Sequence, residues 1–352
     1  MTTHKSIRDV PGAMEFLHYS AKCGQDPLLV QAAGGNTSIK ADGVLWVKAS
    51  GTELADSLLK DIFVPVRLAP LLTGLERGDP ACETSAAFVA TEANPKGLRP
   101  SIETTFHAVL PQRVVVHVHC VETLAWACRE DGEVELRTRL KGLDWMWVPY
   151  GRPGLPLSLQ LKARLSPIPS VVVLGNHGLV VAAGTVEGAA KLLAEVGRRL
   201  RRPVAEAKPA NWAKLEEAAN GSSYLPVRDA QVHGIATDPF RLEVAATGSL
   251  YPDHVIFLGP SVVVLREGER VADALVREPR PIAPLLLVPG AGALLPQAAL
   301  PAAHALARCL ADVTARLRPG EALRYLKPTD EMALLNWDAE KYRQALAKRA
   351  TG

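Results

Sequence analysis

Two histidines, His117 and His119, alternate within RVVVHVHC, a valine-rich run whose β-branched side chains favour a strand. On a strand, positions i and i+2 project from one face, so both imidazoles address the same point, a spacing suited to two ligands of one metal ion. By itself an HxH pair is more often a pair of packed or exposed histidines. His177 adds a third candidate. SVVVLGNHGLVV reads as two apolar strands joined by Gly175-Asn176-His177-Gly178. A histidine there has little packing to do; the alternative is a turn residue that tolerates an unusual backbone conformation. Three neutral imidazoles leave the charge of a divalent ion undiminished and a coordination position open, as in a Lewis-acid site rather than a closed structural one.

Glu103 lies in RPSIETTFHAVLP, which reads as a helix with Ser101 as its N-cap and a stop by Pro111. Its carboxylate is either a helix-start acid favoured by the dipole or a general base or further ligand, since this helix feeds directly into the His117 strand. His107 falls one turn later on the same face and reads as structural. Upstream, Asp42-Gly43 between SIK and VLWVK signals a hairpin turn. Folding the chain there pairs Thr37 with Lys48, Asn36 with Ala49 and Gly35 with Ser50. The loops GGNTS and ASGT then meet at one end, where backbone N–H groups and hydroxyls converge on an anion or simply form paired turns. Ser101 would add a donor. Lys48 is either a point charge beside that anion or a solvated strand lysine.

These residues need a scaffold. Helical spacing over Ala13–Cys23, the hairpin, the Glu103 helix, the His117 strand, the helix VETLAWACRE and the paired runs around His177 lead to a long helix from Val186 to about Arg202, with Thr185 able to cap it. Strands alternating with helices argue α/β or α+β, not a bundle. We read 1–205 as one unit, 206–234 as connecting structure that holds a short helical pattern, NWAKLEEAAN, and 235–352 as a smaller α/β unit with strands HVIFLG, SVVVLRE and PLLLV and helices Pro301–Leu317 and Glu331–Ala347. RRLRR at Arg198–Arg202 reads as a solvated helix end. PGAGALL fails as a dinucleotide loop, because Leu295 stands where the third glycine of GxGxxG belongs.

Composition narrows the classes. The 352 residues are 48% hydrophobic and 22% charged, and 40 Lys and Arg against 37 Asp and Glu give a net charge of +3. That balance is globular and too weakly basic for a nucleic-acid or membrane-surface protein. The first ten residues lack the apolar core of a secretory signal, and prolines interrupt the most apolar stretch, 281–301. Five scattered cysteines without a CxxC pair suit reduced thiols in a cytoplasm.

Taken together, GGNTS (34–38), ASGT (49–52), PSIETTFH (100–107), HVH (117–119) and GNHG…AAGT (175–185) resemble, in order and spacing, the class II aldolase/adducin N-terminal family over roughly residues 12–205. TGSLYPDHVIFLGP and the C-terminal NWDAEKYRQAL resemble the extension of long, bifunctional rhamnulose-1-phosphate aldolase/dehydrogenase proteins. The resemblance implies a central, mainly antiparallel sheet flanked by helices, often in a homotetramer. It implies Zn²⁺ or another divalent metal on His117, His119 and His177, with Glu103 as base. Phosphate-binding positions map onto Gly35, Asn36, Ser50, Gly51 and Ser101, and Tyr150 is a candidate proton donor. The chain departs at Ile102, where short aldolases carry a second serine, and at Ala49-Ser50, where proline followed by serine or threonine is common. The implied reaction is cleavage of a ketose 1-phosphate through an enediolate; a sugar-phosphate epimerase or dehydratase, or a non-catalytic adducin-like module, is the alternative. The implied partner is a phosphorylated sugar.

Overall fold

The computed structural model describes residues 5–280 and 284–336. Two compact units result: one holds the residues up to Thr123 with Leu136–Leu200, and the other holds Leu124–Glu135 with the residues from Arg201 onward. The first unit is built on strands β1 (Asn36–Ala41), β2 (Val44–Lys48), β3 (Phe63–Arg67), β4 (Val114–Val118), β5 (Trp145–Val148), β6 (Val171–Leu174) and β7 (Gly178–Ala183). They form one seven-stranded sheet in the order β3-β2-β1-β4-β7-β6-β5. Every pairing is antiparallel except β5 with β6, so the sheet is the mainly antiparallel one expected. The hairpin register also matches the expectation, with Ser38 opposite Val47 and Ala41 opposite Val44 across the Asp42-Gly43 turn.

Helices cover both faces. Ala13–Gln25 and Val186–Leu200 lie on one face, where Ser20 hydrogen-bonds Thr37 at 2.8 Å. On the other face, Phe106 and Leu110 pack with Leu157, Leu161, Val115, Val172 and Val180. Because both faces are covered, β4 and β6 read as valine-rich runs rather than as alternating strands. Strands β3 and β5 were not anticipated; β5 is only half-buried and tryptophan-rich, and β3 carries Pro65, which demotes a strand reading.

The second unit has its own four-stranded sheet, β8 (Tyr224–Pro226), β11 (Gly292–Pro296), β10 (Leu286–Val288) and β9 (Val263–Val264) in that spatial order. In the stretch 206–234, expected as connecting structure, the helical pattern of NWAKLEEAAN is the helix Trp212–Ala219, whose Leu215 and Ala218 pack on Val263, Leu286 and Leu294, and the unanticipated strand β8 follows it. Segment 124–135 belongs here because its backbone pairs with the chain near Leu323, through Arg324 N–H to Cys128 O and Glu130 N–H to Ala322 O. HVIFLG is not a strand. Pro252–Leu258 is a helix, started by a proline at its first position and buried along its whole length. An apolar run buried on every side carries no periodicity to separate helix from strand. RRLRR is divided: Arg198 and Arg199 pair with Glu195 on the helix, whereas Arg202 is buried, pairs with Glu321 and stacks 4.2 Å from the Trp126 ring. The five cysteines are all unbridged and buried. No helix among the described residues is long and apolar enough to cross a membrane. Residues 337–347, expected to finish the last helix and to carry most of NWDAEKYRQAL, lie outside the described residues.

His254 on the buried helix has no hydrogen-bond partner for either ring nitrogen among the described residues. Burial holds its pKa down, from 6.5 to about 4. The unfolded chain therefore binds a proton that the folded unit resists, and the stability present above pH 6.5 is lost as pH falls toward 4. The expected loss is about 3 kcal/mol. Urea unfolding at stepped pH should show this decline in the wild type and a shallower one in His254→Leu; equal slopes would refute it.

Candidate functional site

Antiparallel pairing places the chemistry. Asn36 begins β1, Lys48 ends β2, Val118 ends β4 and Gly178 begins β7, so in the order β2-β1-β4-β7 these termini share one end of the sheet. Asn36 stands opposite His117, and His117 opposite Val180. His119 lies one residue beyond β4, and His177 sits in the tight β6–β7 turn, its N–H bonded to Leu174 O at 3.1 Å. In that turn it is Asn176, not His177, that adopts the left-handed backbone, with φ of 52°. Gly178 is needed for close approach: a Cβ there would meet Val118 O at 2.6 Å. Gly35 serves the same end on the other side, with φ of +58° and a would-be Cβ 2.9 Å from His117 O.

The three imidazoles come together and are buried. Their ring centroids are 5.0 to 5.3 Å apart, and one nitrogen from each lies within 4.8 Å of the others. Glu103 joins them, with Oε2 3.5 Å from His117 Nε2 and Oε1 3.4 Å from His177 Nε2. Burial lowers the His117 pKa to about 3, outweighing the attraction of Glu103; the ring is therefore neutral. Its Nδ1–H donates to Leu179 O at 3.1 Å, which leaves Nε2 as a bare lone pair facing the cluster. For Glu103, burial favours the acid, but the neighbouring histidines and a hydrogen bond from Asn36 more than offset it and hold the pKa at about 2. The carboxylate is ionised, and its Oε1 accepts no hydrogen bond among the described residues.

That donor set fits a cation. A lone pair on His117 Nε2 and an ionised carboxylate converge with two further imidazoles in a buried spot, and His117 Nε2 is 3.2 Å from His119 Nε2. Two nitrogens bound at about 2.0 Å to one tetrahedral ion lie about 3.3 Å apart. His117, His119 and His177 are thus the residues that could hold a divalent ion, with Glu103 beside them.

The expected anion loops also meet. Ala49 bridges Pro100, Ser50 N–H donates to Arg99 O at 2.9 Å, and Ser101 N–H donates to Lys48 O at 3.0 Å, which sets Ser50 and Gly51 beside Ser101. The helix starts later than expected, spanning Thr104–Val109 with Glu103 at its cap position. Ser101 Oγ accepts the Glu103 N–H at 3.2 Å, so Ser101 fixes the backbone that carries the carboxylate. Lys48 is neither solvated nor aimed at an open anion. It is 2% exposed, and its ammonium donates to Ala33 O at 2.7 Å and Thr52 O at 2.6 Å. It straps together the two loops. Tyr150 follows β5 at the same end of the sheet, with its backbone nitrogen beside Gly175 in the turn that carries His177. Asn36, expected at the anion, instead has its side chain between Glu103 and His107. The pairing of Asn36 and Ser38 with His107 was not anticipated; its signal was the i, i+2 spacing of two polar residues on a strand and a histidine four residues after Glu103.

Two outcomes follow from this geometry. Replacing His117 or His177 with alanine should remove most of the divalent metal that copurifies with the chain, measured by elemental analysis; full occupancy in either variant would refute the ligand assignment. Replacing Lys48 with methionine should cost about 2–4 kcal/mol of unfolding free energy by leaving two loop carbonyls without their charged donor. Unchanged denaturant unfolding would show that the strap contributes nothing.

Known proteins share this domain. Residues 21–202 match the model of the Class II Aldolase and Adducin N-terminal domain. A curated relative, the uncharacterised oxidoreductase YuxG of Bacillus subtilis (strain 168), is 30% identical over 188 residues, which are 50% of this chain and 27% of that protein. The chain therefore spans about a quarter of that relative's length. Among solved structures, the N-terminal class II aldolase domain of a conserved protein from Thermoplasma acidophilum is 26% identical with a TM-score of 0.46, covering 52% of this chain and 89% of that one. The L-fuculose-1-phosphate aldolase of Thermus thermophilus is 18% identical with a TM-score of 0.35, covering 52% and 90%. With the family model spanning more than half of its length, from the first helix through the end of the long helix after β7, the chain belongs to the class II aldolase and adducin N-terminal domain family.

Proposed function

We propose that the chain is a metal-dependent class II aldolase that cleaves a ketose 1-phosphate, such as rhamnulose 1-phosphate, into dihydroxyacetone phosphate and an aldehyde. The observation that carries this reading is the buried Glu103 carboxylate within 3.5 Å of two of three clustered imidazoles, close to the glycine- and hydroxyl-bearing loops 34–38 and 49–52. A non-catalytic module has no use for an ionised carboxylate held out of water at such a place.

His117, His119 and His177 would hold Zn²⁺ or a similar divalent ion, which when bound would draw electron density from the substrate carbonyl. The loops 34–38 and 49–52, with Ser101 between them and Glu103, would seat the phosphate and so fix the donor carbon beside the carboxylate. As the C3–C4 bond breaks, the C4 hydroxyl gives up its proton and its oxygen becomes the aldehyde carbonyl. The electron pair of the broken bond stays on the C3 side, and C3 must then gain a proton for dihydroxyacetone phosphate to leave. Glu103 would carry that proton: its Oε1, which accepts no hydrogen bond among the described residues, would take up one proton, balancing the one the C4 hydroxyl releases, and pass it to C3, which returns Glu103 to the carboxylate. Its low pKa keeps it a carboxylate between turnovers. Burial of the cluster keeps water from competing for the carbanion.

Incubation with a panel of ketose 1-phosphates and a coupled assay for triose phosphate tests the reading. Two fragments support it, a single isomeric product makes the chain an epimerase, and no turnover of any ketose 1-phosphate by the metal-loaded protein overturns it. Glu103→Gln should keep its metal while slowing solvent hydrogen exchange at the donor carbon of dihydroxyacetone phosphate by about 100-fold or more. Unchanged exchange would remove Glu103 from the proton-transfer step.

A further inference from the structure

Behind Glu103 lies a chain of buried polar side chains linked to its carboxylate. Asn36 Nδ2 is 2.8 Å from Glu103 Oε2, His107 Nε2 contacts Asn36 Oδ1, and His107 Nδ1 is 2.7 Å from Ser38 Oγ. All four side chains are buried, and His107 is 0% exposed. Asn36 and Ser38 alternate on β1 and so face the same way, toward the helix that carries His107.

Chemistry fixes every proton in this chain. Asn36 donates from its NH₂ to Glu103 Oε2, which accepts, and turns its carbonyl oxygen toward His107 Nε2. That oxygen also only accepts, so His107 must carry its proton on Nε2. A neutral ring protonated there has a lone pair on Nδ1, which takes the Ser38 O–H. Burial, together with the nearby Lys40 and His117, holds His107 far below the ordinary histidine range and keeps it neutral. Phe106 stacks on its ring at 4.5 Å with an 18° tilt, which fixes the ring plane. Rotating the Asn36 amide by half a turn would set its oxygen against the carboxylate and break two hydrogen bonds.

We propose that His107 is a positioning residue that, as its Nε2–H tautomer, locks the Asn36 amide and through it pins Glu103 Oε2, leaving Oε1 as the oxygen that moves the proton. The proposal rests on the reading of Glu103 as the proton-transfer group, and it accounts for Asn36 as the clamp on that group. The Ser38 hydroxyl sets the tautomer from the far end of the relay.

Histidine ¹⁵N labelling of the metal-free and metal-loaded protein tests the relay apart from any activity. The His107 signal, assigned by its loss in His107→Phe, should show a protonated Nε2 and an unprotonated Nδ1; a proton on Nδ1, or on both nitrogens, would overturn the proposal. Kinetics test its consequence. His107→Phe keeps a ring against Phe106 and should lower kcat by about 10–100-fold, with KM and metal content within twofold of wild type. His107→Gln, whose amide offers both a donor and an acceptor, should recover most of that loss. Equal kcat in His107→Phe, or a loss confined to KM or metal content, would refute a positioning role. Should His107→Phe fail to fold, Ser38→Ala provides the second arm: its His107 tautomer should become mixed and its kcat should fall, and an unchanged tautomer with unchanged kcat would overturn the relay. A wild type without aldolase turnover would instead defeat the functional reading, and the tautomer measurement would still decide the relay.

Discussion

A carboxylate set out of water against three clustered imidazoles is the interaction on which the rest of this structure depends. Burial alone would protonate Glu103 and so remove the charge. What favours the charge is local: the hydrogen bond from Asn36, with His117 and His177 at 3.4 to 3.5 Å lending positive charge whenever they carry a proton or hold a cation. Each of those neighbours is itself constrained. His117 is turned by its bond to Leu179 O, and Asn36 by His107. The loops on either side are tied by the Lys48 ammonium. Little in the site is left to choose its own orientation, which is the condition for placing charge where a reaction needs it.

The sheet makes this arrangement inexpensive in chain length. Four strands that run alternately up and down put the start of one, the end of the next and the start of the third at the same edge, so residues as far apart in sequence as Asn36, His117 and His177 become neighbours. Two glycines, Gly35 and Gly178, allow the flanking backbones to press against β4, where a methyl group would collide with carbonyl oxygens. The same antiparallel logic carries Lys48 to this edge from β2, with its side chain on the sheet face opposite Asn36 and His117. There it binds loop carbonyls instead of solvent.

Much of the site was legible because its signals are local or periodic. The HxH spacing on a valine run, the turn at Asp42-Gly43 and the glycine-flanked His177 each carry a geometric consequence that neighbouring residues cannot easily override. Elements without such signals were misjudged. Pro252–Leu258 is apolar on all sides, so its helix could not be told from a strand. The helical pattern of NWAKLEEAAN was legible, but the helix Trp212–Ala219 and strand β8 became part of a unit only by packing on residues far along the chain. Segment 124–135 gave no sign of leaving the first unit, because backbone pairing with residues 322–324 is invisible to any local reading.

By itself, then, the amino-acid sequence determined which residue types were available and which strands and turns would carry them, since side-chain alternation and turn chemistry act over a few residues. Only the tertiary structure decided their states. Whether Lys48 was solvated or buried depends on loop carbonyls that the fold brings around it, and the direction of the Asn36 amide and the protonated nitrogen of His107 depend on partners about seventy residues distant. The reason is physical: desolvation and hydrogen-bond direction are properties of an enclosed volume, and a volume has walls only after the chain has folded around it.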